Sequence, residues 1–167
     1  LEFTLGRMRC MHDLGNWEQL SALCAETWRT HSSGPKKQEI AALALSASLN
    51  LLRWDTMDAY IEGLNEHSLE GAFYNALISV QKERFSRARE YVSHARGLAA
   101  AELTALVSES YSRAYTVVVR IQQLAEIEEV ISYKELVDDE EKRSNILKLW
   151  KRRLSGVERN VEVWQSL

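Results

Sequence analysis

The chain has 167 residues, 46% of them apolar and 27% charged, with two cysteines and a formal net charge of −3. Those proportions exclude wholesale disorder and a small disulfide-stapled fold, and they supply enough apolar surface for a buried core. The slight acidity gives no general pull toward nucleic acid or an anionic membrane, and the longest apolar run, Ala41 to Leu52, is interrupted by serines and an asparagine and is too short to span a bilayer.

Hydrophobic periodicity predicts helices near 3–14, 17–31, 37–51, 54–64, 70–82, 85–97, 100–124, 126–136 and 140–166. No segment sustains the alternation of a strand, so the expected class is all-α. The chain opens Leu1-Glu2-Phe3, without an initiator Met or a charged-then-apolar leader, and reads as a piece cut from something longer. Cys10 and Cys24 fall on apolar faces of the first two helices and are expected to be reduced core thiols, which suits a cytosolic compartment. Gly15, Gly34 and Gly63 stand where a chain leaving a helix takes positive φ, and Ser32-Ser33-Gly34-Pro35, with the only proline, is the clearest loop. Ala41, Ala42, Ala44, Ala47, Ala72 and Ala76 predict close helix-helix approach. Farther on, Leu103, Val107, Ser110, Ala114, Val117, Ile121 and Leu124 form one stripe. Asp138-Asp139-Glu140-Glu141 is a helix start, where carboxylates cap free amides. In the last helix Leu147, Trp150, Leu154, Val157, Val161 and Trp164 form a seam expected to pack on a neighbouring hairpin.

Four sets share a spacing of +3, +7 and +10: Trp17, Leu20, Cys24, Thr27; Trp54, Met57, Ile61, Leu64; Phe85, Ala88, Val92, Ala95; and Ile127, Val130, Lys134, Val137. At 3.6 residues per turn each set is one face of a helix. The residues before them, Leu14-Gly15, Leu51-Leu52, Gln81-Lys82 and Leu124-Ala125, close an upstream helix. The predicted unit is therefore helix, tight turn, helix, with hairpins near 3–31, 37–64, 70–97 and 100–136 and a final helix at 140–166. Recurring hairpins predict an α-solenoid, an architecture that builds surfaces.

Recognisable reactive devices are absent from the sequence. There is no Gly-x-Gly, Gly-Lys-Ser/Thr, His-Arg-Asp or Asp-Phe-Gly, so no phosphoryl-transfer centre is expected within these residues. His12, His31, His67 and His94 are scattered without partnering cysteines, and no metal site is expected. Ser108, Ser110 and Ser112 have no identifiable base and read as helical surface or packing serines. Two basic stretches could dock an acidic ligand or could be solvated helix faces: Lys82, Arg84, Arg87, Arg89 and Arg96 with Tyr91 and His94, and Lys148, Lys151, Arg152 and Arg153 around Trp150.

Several segments then point to a family. They are Leu5-Gly6-Arg7-Met8-Arg9-Cys10, Cys24-Ala25-Glu26-Thr27-Trp28, Trp54-Asp55-Thr56-Met57, Gly71-Ala72-Phe73-Tyr74, Ala101-Glu102-Leu103-Thr104-Ala105, Glu109-Ser110-Tyr111-Ser112-Arg113-Ala114-Tyr115, Leu124-Ala125-Glu126-Ile127-Glu128-Glu129-Val130-Ile131 and Val161-Glu162-Val163-Trp164-Gln165. In this order they resemble the FAT region of target-of-rapamycin kinases, of the phosphatidylinositol-3-kinase-related class, along nearly the whole chain.

The resemblance implies a tetratricopeptide-like α-solenoid that clamps a serine/threonine kinase domain lying outside this chain, where ATP and Mg would bind. It also implies partners in the rest of the parent polypeptide and its complex subunits, control of cell growth in response to nutrients, and a cytoplasmic location, at lysosomal or vacuolar membrane surfaces through those partners. Members hold an inositol polyphosphate in a basic pocket of this region, and Arg113, which falls in a matching segment, is the residue expected to contribute. The bland alternative is Arg113 paired with Glu109 one turn away. Only Phe85, Ala88, Val92, Ala95 follows the second-helix pattern of a tetratricopeptide unit, and the intervals of 37, 31 and 42 residues between stripe heads are looser than a regular array. The alternatives are a free-standing tetratricopeptide adaptor for an extended peptide or acidic tail, and an all-α enzyme lacking any recognisable acid, base or metal set. An adaptor is expected to need polar capping helices, whereas the seam still runs at Trp164-Gln165-Ser166-Leu167.

Overall fold

A computed structural model describes residues 2–30, 34–107 and 109–156. Among them the fold is all-α, with eight helices and no strand: α1 (Glu2–Asp13), α2 (Trp17–Thr30), α3 (Pro35–Asn50), α4 (Trp54–Ile61), α5 (Leu69–Gln81), α6 (Phe85–Leu106), α7 (Tyr111–Glu135) and α8 (Glu140–Gly156). The chain divides into two compact units, Leu1–Tyr91 and Val92–Leu167, with the division inside α6.

In the first unit, three helix pairs are joined by the same turn. At α1/α2, Asn16 N donates to Met11 O at 2.8 Å and Gly15 N to His12 O at 3.0 Å; at α3/α4, Arg53 N donates to Ser48 O at 2.8 Å and Leu52 N to Leu49 O at 3.0 Å; at α5/α6, Arg84 N donates to Ser79 O at 2.8 Å and Glu83 N to Val80 O at 3.1 Å. These are Schellman motifs, in which one left-handed residue turns the chain and satisfies the last carbonyls of the outgoing helix. That residue is Gly15 (φ 66°), Leu52 (φ 55°) or Glu83 (φ 55°). One residue later the next helix begins on Trp17, Trp54 or Phe85, as the spacing predicts.

Behind each aromatic head the stripe is buried: Leu20, Cys24 and Thr27 on α2, Met57 on α4, Ala88 on α6. They join Leu5 and Met8 of α1, Ile40, Ala41, Ala44, Leu45 and Ala47 of α3, and Ala72, Phe73, Ala76 and Val80 of α5. Each helix from α1 to α5 packs on the next, and α1 also reaches α3. The predicted alanines are buried except Ala42, which is half-buried.

Two glycines allow close approach. Gly63 does not have positive φ, contrary to expectation; a Cβ there would lie 2.5 Å from Trp28 Cη2 and 3.0 Å from the Ala41 Cβ. A Cβ on Gly71 would lie 2.0 Å from the Asn65 carbonyl oxygen, in the joint where Ser68 Oγ caps α5 by accepting from Gly71 N at 3.0 Å. Gly34 has φ 107° and precedes Pro35 at the first turn of α3.

The second unit departs from the expected hairpins. No break falls between 97 and 100, because Gly97 sits inside α6, and no turn falls at Leu124-Ala125, because α7 runs unbroken to Glu135. The set Ile127, Val130, Lys134, Val137 is therefore interior to α7 and the loop after it, not the head of a hairpin, and Val137 is exposed. The stripe expected to run from Leu103 to Leu124 is cut at 107–110, where Ser110 becomes the N-cap of α7 and Val107 is exposed. Beyond the cut, Ala114, Val117, Leu124, Ile127 and Ile131 are buried, as are Val92, Ala95, Ala99 and Leu106 of α6. Arg96 of α6 pairs with Glu128 of α7 at 2.8 Å.

α8 begins as expected: Asp139 Oδ1 accepts from Lys142 N at 3.0 Å and caps the helix. Its seam does not form as expected, since no residue of α8 is buried and Leu147 and Leu154 are exposed; Val157, Val161 and Trp164 lie outside the described residues.

Candidate interaction surfaces

Nothing reactive converges among the described residues. No group of three His, Cys, Asp or Glu side chains could hold a metal ion. Cys24 is buried in apolar surroundings that push its thiol up to about 12, so the nucleophilic thiolate is suppressed. Cys10, expected in the core, is exposed; both thiols are free. His12 bridges α1 and α3 through Ser46 Oγ at 3.1 Å and meets the Trp17 ring edge-on at 5.3 Å, which is packing and not ligation. Ser110 caps α7 and so does not lie on a helix face; Ser108 and His31 lie outside the described residues.

The first basic stretch is largely engaged. Lys82, on the α5/α6 turn, pairs with Asp58 of α4 at 2.7 Å, Arg87 lies over Tyr91 at 5.7 Å, and Arg96 holds Glu128. One hairpin earlier, Arg53 on the α3/α4 turn grips both oxygens of Glu18 on α2 at 2.8 and 2.9 Å. In both places a basic turn residue reaches back to an acid near the start of the previous hairpin's second helix. These cations therefore fix neighbouring hairpins, each exposed pair contributing about 0.2–1 kcal/mol.

The second basic stretch divides. Arg153 makes a bidentate pair with Glu129 of α7, both contacts at 2.7 Å, and Trp150 Nε1 donates to the same carboxylate at 2.9 Å. Tyr133 of α7 lies between Trp150, with centroids 5.4 Å apart, and Arg143, 4.6 Å above its ring. This polar and aromatic clamp joins α8 to α7. Sequence reading missed it, because Glu129 and Arg153 are too far apart to show as a local pattern; a tryptophan among basic residues was its only trace. Lys148, Lys151 and Arg152 remain exposed. Beside the clamp, Tyr133, Glu140, Glu141, Arg143, Ser144 and Leu147 line an open depression of about 590 Å³.

Arg113 stands exposed in the first turn of α7, its backbone N–H facing Ser110 Oγ at 3.5 Å. Its guanidinium pairs with no carboxylate among the described residues, Glu109 included. No described helix is long and apolar enough to cross a membrane.

Hairpins fixed by repeated turns and back-reaching cations, without a convergent reactive group among the described residues, define a helical-repeat scaffold. The FAT domain family model matches residues 41–167. The whole chain is 42% identical to the serine/threonine-protein kinase TOR of Oryza sativa subsp. japonica, 40% to the serine/threonine-protein kinase TOR2 of Saccharomyces cerevisiae and 36% to the serine/threonine-protein kinase mTor of Drosophila melanogaster. It spans only 8%, 7% and 7% of those proteins, respectively. The chain belongs to the FAT domain family and is similar throughout to one segment of the target-of-rapamycin kinases.

Proposed function

We propose that the chain is a non-catalytic scaffold segment of a target-of-rapamycin-type serine/threonine kinase, positioning the kinase domain and partner subunits of a complex that controls cell growth in response to nutrients. The observation that carries this reading is similarity to TOR kinases along the entire chain, at 32–42% identity from plants to fungi and flies. The described structure supports it mechanically. Hairpins that bury their stripes against neighbours transmit geometry along the polypeptide, while the chain offers no chemistry of its own to contribute. A cytoplasmic location, at lysosomal or vacuolar membrane surfaces through partners, belongs to the same proposal.

The test is a segment exchange. In Saccharomyces cerevisiae, this chain replaces the matching stretch of TOR2, and growth is followed with and without nitrogen limitation. Retained growth and retained kinase activity of the purified chimaera are expected. An abundant, intact chimaera that supports neither rejects the reading, and so does a chimaera carrying Ala76→Trp that works as well as the unmodified one.

Arg113 is proposed to contribute to an inositol polyphosphate site. The support is its exposure without a carboxylate partner among the described residues, in the first turn of α7, where the helix dipole favours anions. Calorimetry with inositol hexakisphosphate is expected to show weaker binding for Arg113→Ala at unchanged helicity. Equal affinity in the two proteins removes Arg113 from the site.

A further inference from the structure

α8 carries more cationic charge than its attachment to α7 uses. Lys142 is engaged by Asp139 at 2.8 Å, Arg143 by Tyr133 and Arg153 by Glu129. Lys148, Lys151 and Arg152 are exposed and pair with no carboxylate among the described residues. Leu147 and Leu154 are 48% and 53% exposed. Helical spacing places Leu147, Lys151 and Leu154 on one stripe, at +4 and +7, with Lys148 and Arg152 along its flank. The stripe adjoins the face that carries Trp150 and Arg143, and the depression at Tyr133 opens at its Leu147 end. α8 therefore shows an apolar line edged on one side by three unneutralised cations.

We propose that this face of α8 docks an acidic amphipathic helix, with its leucines against Leu147 and Leu154 and its carboxylates against Lys148, Lys151 and Arg152. Charge complementarity selects the occupant. Cations on long stems beside exposed leucines favour a partner that neutralises them while covering the apolar line, the arrangement of an amphipathic helix laid along a groove. A basic helix would add like charge to like. Glu140 and Glu141 at the opposite end of α8 confine the partner's carboxylates to the half facing residues 148–152. The proposal rests on the scaffold reading only in giving such a segment a surface to present. Its failure would leave the hairpins and the TOR similarity untouched, whereas failure of the segment exchange would leave the α8 binding result standing.

The test uses the full 167-residue chain and a fluorescein-labelled three-heptad peptide with leucines at a and d and glutamates at e and g, read by anisotropy. Saturable binding is expected, together with at least tenfold weakening for the combined variant Lys148→Gln, Lys151→Gln, Arg152→Gln and for Leu147→Ala with Leu154→Ala. Trp150, Arg153 and Glu129 are untouched in both variants, so the clamp to α7 persists, and Trp150 fluorescence checks it. Affinity should also fall steeply between about 0.05 and 0.5 M NaCl, since the cations are exposed.

A matching peptide with lysines in place of glutamates should bind at least tenfold more weakly to the unmodified chain. That comparison needs no variant to fold. Equal binding of the two peptides, or indifference to both sets of substitutions, overturns the proposal. So does sedimentation showing that a second copy of the chain occupies the face, or retention on phosphatidylserine vesicles without affinity for the acidic peptide.

Discussion

The three hairpins of Leu1–Tyr91 and the α7/α8 pair solve the same problem with different materials. In the hairpins each second helix opens on an aromatic head after a left-handed turn and buries a stripe behind it, so attachment is mainly apolar. α8 buries nothing and is held by one carboxylate, one tyrosine and the groups that grip them. Apolar burial is insensitive to ionic strength, while a partly exposed clamp is screened by it. The first region should therefore unfold cooperatively and the attachment of α8 should loosen first. Hydrogen exchange at rising NaCl is expected to speed α8 before α2 or α3; a uniform response would erase the distinction.

The largest effect should come from the glycine that the first region cannot replace. Gly71→Ala places a Cβ against backbone, the Asn65 carbonyl, which cannot rotate away as a side chain can. About 3 kcal/mol of destabilisation is expected, at the upper end for overpacking. Urea unfolding followed by tryptophan fluorescence measures it. Gly97→Ala is the control, because nothing lies within 4 Å of a Cβ there and Gly97 is inside α6; it should stabilise by about 0.5–1 kcal/mol. Next come Ala76→Leu and Ala88→Leu, both at fully buried positions, each costing about 1–3 kcal/mol by the same assay.

Sequence reading reached the first region and stumbled in the second for a physical reason. Trp17, Trp54 and Phe85 were legible as helix heads because an amphipathic stripe restarts at each of them. Leu52 and Glu83 were not legible as left-handed turn residues, since nothing local distinguishes them from helix formers. Around Ser110 the periodicity misled. Leu103 through Leu124 keep alternating steps of three and four across a real interruption, because a short joint that preserves the helical phase leaves the pattern intact. The break imagined at Leu124-Ala125 came from forcing a fourth hairpin onto Ile127. Of the candidate sites, the exposed cations of α8 were visible as residue types, whereas the clamp that frees Lys148, Lys151 and Arg152 while engaging Arg153 exists only in three dimensions.

In the second region, Glu129→Gln removes the charge that Arg153 grips while keeping a side chain able to accept from Trp150. Glu129 and Arg153 side chains are 22% and 32% exposed, so solvent screens the pair and roughly 1 kcal/mol is expected from its loss. The sign is read locally, as faster exchange in α8 with α2 and α3 unchanged. An equal slowing or speeding everywhere would show that α8 and the hairpins form one cooperative block.

The smallest effect has the opposite sign and tests the shared turn directly. Gly15 occupies its left-handed position without steric cost, whereas Leu52 and Glu83, both at φ 55°, hold a Cβ close to the following carbonyl. If the three turns are equivalent, Leu52→Gly and Glu83→Gly relieve that crowding, and Gly15→Ala introduces it. The gain is partly offset by the extra freedom glycine gives the unfolded chain, which leaves about 0.5 kcal/mol of stabilisation per substitution. Leu52 is 70% exposed, so removing its side chain forfeits little burial. Urea midpoints should rise for both glycine variants and fall for Gly15→Ala. A fall for Leu52→Gly would mean that its side chain contributes more to the α3/α4 joint than its backbone angle costs, and the equivalence of the turns would be of hydrogen bonding alone.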